Sequence, residues 1–328
     1  MNRRSDIFLP IFGALAMIVL ILDGKTALIG AQEGLDLCLK TLIPTLFPFF
    51  FLTNILSSSL IGRNIKLLRP IGRLCKIPEG AESILVIGLL GGYPIGAQCI
   101  GTAYEAGGLS LRDARRMLAF CNNCGPGFLF GITGSLFSDP SISWLLFGIH
   151  FISAVAVGVI VPGAPGLRKA VATVKPSPVK ALRNSIHAMA GVCGWVVLFK
   201  VLLSFLNRWF LWYFPASVQI GLTGFLELSN GCIALHQIEN TSLKLILCAG
   251  IFGFGGLCVT MQTWFAAGNV DKKLYFPGKL LQAALSMTLV SLIYDPKMSL
   301  LPVTGSIILG IFLRKSEKRC RNPQPLVV

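Results

Sequence analysis

Four short stretches place side chains that could do chemistry in an otherwise apolar chain. FLELSNG, residues 225–231, holds Glu227, Ser229 and Asn230, and FCNNCGPGFLFG, residues 120–131, holds Asn122 and Asn123 between Cys121 and Cys124. GFGGLCVTMQ, residues 253–262, supplies Gly255, Gly256 and Gln262. GLLGGYPIGAQ, residues 88–98, supplies Gly91, Gly92, Tyr93, Pro94, Gly96 and Gln98. Amides, hydroxyls and open backbone offer donors and acceptors together, which suits a neutral polar solute such as a nucleoside or a sugar. A carboxylate in a membrane marks an ion or proton pathway, so Glu227 is also the candidate site for a coupling cation or proton. Each stretch has a plain structural reading beside the functional one. Glycines allow close helix packing in membranes, the asparagines can cap a half-helix, and Glu227 can accept backbone N–H groups.

Other chemistries find little support. No Ser-His-Asp order, phosphate-binding loop or carboxylate pair is evident, which argues against an enzyme and implies no cofactor. Cys121 and Cys124 form a C-x-x-C, but no second pair stands at metal-site spacing. Packing is the expectation for these thiols, and no metal site is implied. His150, His187 and His236 are isolated.

The elements that must position these residues follow from composition and charge. Of the 328 residues, 54% are hydrophobic and only 13% charged, whereas a soluble domain carries about 25% charged residues. The chain therefore reads as an all-α polytopic membrane protein, with the lipid bilayer as its first partner. Its net charge of +15 suggests nucleic acid until the basic residues are placed. They cluster beside apolar segments, at Arg3 and Arg4, at 63–76, at 112–116, at 168–183, at 272–279 and in the tail from Arg314. Only Lys25, Lys40, Lys200, Arg208, Lys244 and Lys297 fall elsewhere. The positive-inside rule makes those clusters, and both termini, cytoplasmic. No nucleic-acid partner is then needed.

Counting crossings from those clusters gives helices over residues 7–22, 42–60, 117–137, 142–161, 186–206, 245–267, 280–294 and 300–313. Residues 81–109 have cytoplasmic charge on both flanks, so they must enter the membrane and return. Three glycines and a proline between Gly91 and Gly96 break the helix at the tip of that re-entrant hairpin. By the same logic residues 217–235 form a hairpin from the other side, with Glu227 at its tip. Each half then has a crossing helix, a re-entrant hairpin, a glycine-interrupted helix and a final crossing, in inverted orientation. Paired broken elements in inverted repeats indicate a solute site between them.

The expected organisation is an N-terminal helix and outer loop over 1–32, a first repeat over 33–162 and a basic, Pro-rich cytoplasmic linker over 163–184. A second, inverted repeat over 185–295 and a last helix with its basic tail over 296–328 complete it.

LIPTLFPFF, GLLGGYPIGA, the NN-x-GP-x-FLFG pattern, FLELSNG and GFGGLCVTMQ, in this order, resemble the YlbJ-like sporulation integral membrane protein family. The resemblance runs from about Gly34 to Tyr294. It implies the nucleoside recognition (Gate) domain shared with concentrative nucleoside transporters and ferrous iron permeases. It also implies a bacterial inner-membrane protein linked to spore cortex or coat maturation, with sporulation proteins or a second copy of itself as partners. The function expected is secondary or facilitated transport of a small polar solute, the alternative being a structural or assembly role in spore membranes. The CNNC sequence departs from the family pattern, in which a Ser or Thr is expected near the break.

Overall fold

A computed structural model describes residues 5–163 and 177–321. Arg3, Arg4, Arg168, Lys169 and Lys175, assigned above to cytoplasmic segments, lie outside the described residues. Among the described residues every regular element is helical, and six helices are long and apolar enough to cross a membrane. They are Gly24–Leu60, Pro140–Ile160, Pro178–Trp209, Thr241–Ala266, Tyr275–Tyr294 and Pro296–Lys315.

The chain opens with α1 (Ser5–Leu22) and α2 (Gly24–Leu37); a π turn over Cys38–Leu42 joins α2 to α3 (Ile43–Leu60). An outer loop is expected before residue 33; residues 24–60 form one helical run of 37 residues made of α2, the π turn and α3. The charges that suggest a loop are paired instead. Asp36 accepts from Lys40 at 2.6 Å and Glu33 meets Lys200 at 3.1 Å. Gly30 and Gly34 let α2 lie against the backbone of α10 (Pro178–Trp209), since a Cβ at either would come within 2.9 Å of a valine Cα there. Residues 178–184, expected in the linker, already belong to α10, started by Ser177 as cap and Pro178.

After the short α4 (Arg69–Leu74) come α5 (Ser83–Gly91) and α6 (Ile95–Glu105), two short pieces joined by Gly92, Tyr93 and Pro94. At 9 and 11 residues each reaches only about 15 Å, half a hydrocarbon core. The next pair, α7 (Leu111–Cys121) and α8 (Pro126–Leu136), is separated by an extended Asn122 and by Gly125 before a Pro at the first helical position. Neither piece alone spans a bilayer. Asp139 and Pro140 then start α9 (Pro140–Ile160).

Two further pairs of short helices follow in the second half. Following α10, α11 (Ala216–Leu226) and α12 (Leu228–Ala234) meet at Glu227. Next, α13 (Thr241–Phe254) gives way to α14 (Gly256–Ala266) at Gly255, whose φ of +82° is left-handed and ends the helix. Finally α15 (Tyr275–Tyr294) and α16 (Leu300–Arg321) close the chain. The interrupted α13–α14 segment runs through the interior, with 78% of its most apolar window buried, whereas α16 lies at the periphery with 11%. Exposed Ile, Leu and Phe side chains on α1 and α16, such as Ile18, Leu22, Leu301 and Ile308, face the surroundings as lipid-contacting residues do.

Candidate functional site

The four interruptions come together. Gly92, at φ +76°, touches the backbone of Gly125, and a Cβ there would sit 2.9 Å from the Gly125 nitrogen. Gly256, at φ +85°, packs on the carbonyls of Gly224 and Leu226, each 3.2 Å from where its Cβ would be. The α5–α6 turn thus sits on the α7–α8 break, and the α11–α12 turn sits on the α13–α14 break. Tyr93 ties the two pairs together: its hydroxyl donates to the Phe252 carbonyl at 3.4 Å, and its ring lies 3.1 Å from the Cβ position of Gly255.

Between these turns lies a cavity of about 30 Å³ lined by Tyr93, Cys124, Gly125, Glu227, Ser229 and Gln262. That is room for no more than a few water molecules. Glu227 is 1% exposed. One carboxylate oxygen accepts from both the backbone nitrogen and the side-chain amide of Asn230, each at 2.7 Å, so Glu227 is the cap of α12. The Asn230 carbonyl in turn accepts from Lys200 at 2.8 Å, and Lys200 reaches Glu33. A continuous polar chain therefore runs from the exposed Glu33 on α2 to the central cavity. Gln262 donates to the Cys258 thiol at 3.3 Å.

The asparagines of the first break face other partners. Asn122 accepts from the Ala97 backbone nitrogen at 3.1 Å and donates to Thr263 at 2.8 Å, linking α6 to α14. Asn123 donates to the Phe120 carbonyl at 2.7 Å, and its oxygen accepts from Lys279 at 3.1 Å and from Gln282 at 3.0 Å. Both amides are fully buried and bonded within the protein. Gly91 and Gly96 serve close approach: a Cβ on Gly96 would overlap the Cys121 carbonyl, and one on Gly91 would reach the Thr53 hydroxyl at 2.9 Å. Pro94 precedes the first turn of α6.

Gln98 lies apart from this junction. It lines a separate cavity of about 130 Å³ between the ends of α3, α6 and α10, with Asn54, Ser57, Thr102, Lys180 and Asn184. Cys121 and Cys124 are buried thiols and not joined to each other. His150 accepts the Cys124 backbone N–H through Nε2 at 3.1 Å.

Lys279 and Gln282 are the residues that sequence reasoning missed. Lys279, counted above with the cytoplasmic Lys272 and Lys273, is fully buried inside α15. Arg116, placed in another cytoplasmic cluster, is 1% exposed and donates to carbonyls of Cys75, Lys76, Gly158 and Val161. Clustering with like charges hid both. A signal for Lys279 existed in its spacing, because Gln282 follows it by one helical turn in the apolar run LLQAAL, whereas Lys272 and Lys273 precede α15.

The helices and their packing define an integral membrane protein with about six spans. The chain is similar to the sporulation integral membrane protein YlbJ of Bacillus subtilis (strain 168), at 24% identity over 314 aligned residues that cover 81% of this chain and 77% of that protein. This similarity supports a YlbJ-like family assignment. No family model matches the chain, and no solved structure matches it.

Proposed function

We propose that the protein moves a small polar solute across a bacterial cell membrane, by secondary or facilitated transport, through the junction of its four broken segments. One observation carries this reading: two turns and two helix breaks, far apart in sequence, converge on a cavity lined by Glu227, Ser229 and Gln262. Irregular backbone at membrane depth is tolerated where it lines such a cavity. The two halves are inverted repeats, α5–α6 and α11–α12 are re-entrant hairpins, and both termini are cytoplasmic. The matching order of elements and the basic residues beside α4, α7 and α16 support that arrangement.

The cavity between the turns is small. A drug-sized or nucleoside-sized ligand needs a pocket of about 300 Å³ or more, so the turns must separate before a solute of that size enters. The nucleoside assignment rests on the Gate-like motifs alone, and a smaller solute fits the junction with less movement. A second reading, an assembly role in spore membranes without transport, draws on the similarity to a sporulation protein of Bacillus subtilis.

Thermal unfolding of the purified protein in detergent, with nucleosides, sugars, amino acids and divalent cations added singly, tests the transport reading, because a specific ligand stabilises by mass action. Transport predicts a saturable rise in midpoint with one class of compound, lost in Gln262→Leu. No rise with any class, together with wild-type spore phenotype in Gln262→Leu, favours the assembly role.

A further inference from the structure

Lys279 brings a fully buried side-chain amine to the first helix break. Its Nζ donates to Gln282 Oε1 at 2.7 Å and to Asn123 Oδ1 at 3.1 Å, and it lies 5.3 Å from the centre of the Tyr93 ring. Among the described residues no carboxylate pairs with it. Its other ionisable neighbours are the Cys121 and Cys124 thiols and His150. Burying an ammonium is costly unless fixed dipoles replace its water. Here they are fixed in advance. The Asn123 amide is oriented by its bond to the Phe120 carbonyl, and the Gln282 amide nitrogen bonds to Asn123 Oδ1 at 3.0 Å, so both side-chain oxygens aim at one point. Two oriented carbonyl oxygens and an aromatic face are ligands for a small monovalent cation.

We propose that this cluster is a monovalent-cation site at the first helix break, filled by the protein's own lysine ammonium, so that the junction closes without sodium or potassium. The position supports this. Asn123 belongs to the break, Tyr93 to the turn packed on it, and Lys279 arrives from α15, so the ammonium joins three segments of the junction. Through Tyr93 the same cluster borders the central cavity. The site stands independently of any transported solute, and its test contains none.

The test uses wild-type protein, Lys279→Ala and Lys279→Met in lipid nanodiscs, with thermal midpoints read at constant ionic strength in N-methylglucamine, sodium, potassium or methylammonium chloride. Wild type is expected to unfold at the same midpoint in all four salts. Lys279→Ala is expected to be less stable in N-methylglucamine and to gain about 2 °C or more, saturably, with at least one small cation. Lys279→Met is expected to be destabilised without recovery, because its side chain fills the site and carries no charge. The proposal is overturned if Lys279→Met matches wild type, if Lys279→Ala responds to no small cation, or if sodium raises wild type as much as Lys279→Ala. If Lys279→Ala is not recovered in any salt, the Lys279→Met comparison decides alone: a lower midpoint supports the site, an equal one removes it.

Discussion

The two helix breaks solve the same problem with different materials. At the first, between α7 and α8, side-chain amides do the work: Asn122 and Asn123 satisfy backbone groups, and a buried lysine sits against Asn123. At the second, between α13 and α14, glycines do it: Gly255 and Gly256 take left-handed conformations, and the nearby acid, Glu227, belongs to the facing turn and borders the cavity. A break filled by amides is locked from within, whereas a break made of glycine leaves its polar neighbour at the cavity wall. The first break is the better candidate for a fixed support and the second for the ligand-facing side.

The sharpest way to break the comparison is at the close approaches on which both depend. Gly88→Val puts a Cβ into the Cys121 carbonyl, a backbone atom that cannot yield. It should abolish recovery of monodisperse protein from detergent, while Gly134→Ala, which meets nothing within 4 Å, should be recovered like wild type.

Next in size is the contrast between the two polar clusters. Asn123→Leu removes a hydrogen bond to a buried ammonium and should cost about 2–3 kcal/mol. Glu227→Ala removes a helix cap and should cost about 1–2 kcal/mol, with Glu227→Gln retaining much of that stability. Denaturation in mixed micelles measures the order, and a larger loss at Glu227 than at Asn123 would reverse the assignment of support and ligand wall.

Lys200→Met interrupts the polar chain from Glu33 to Glu227. Because Glu33 is 54% exposed at its side chain, the ion pair itself should contribute less than about 1 kcal/mol. The midpoint should therefore fall slightly and the ligand response of wild type, once found, should fall more. Equal effects on both would mean that the chain is structural.

The smallest expected effect lies outside the membrane segments. Burial by itself pushes the Asp271 carboxyl up, but the Lys273 backbone N–H and Arg115, both at 3.0 Å, outweigh it and hold the group below the usual carboxylate range. A depressed folded value means stability that is present above about pH 4, the unfolded range, and is lost as pH falls through the folded value. Solvent screening keeps this below about 1 kcal/mol. Arg115→Gln should flatten that part of the pH profile between neutrality and acid, and an unchanged profile would remove Asp271 from it.

Several features were legible in the residues because they depend on local chemistry. Apolar length marked the helices over 140–160 and 241–266, and glycine or proline in apolar sequence marked the interruptions at 92–94, 122–125 and 255. Charge was the poorer guide: Glu33 and Asp36 find lysine partners along continuous helix, and Lys279, counted with the charges that precede α15, is buried inside it.

The sequence by itself determined the solvent, the helical class and the places where helices must stop, since hydropathy, proline and glycine act over a few residues. Only the tertiary structure decided which polar groups meet. Asn123 and Lys279 are 156 positions apart, and Tyr93 and Phe252 are 159 apart. A buried amide is satisfied by whatever packing brings to it, so its type announces a need for a partner and leaves the partner's identity to the fold.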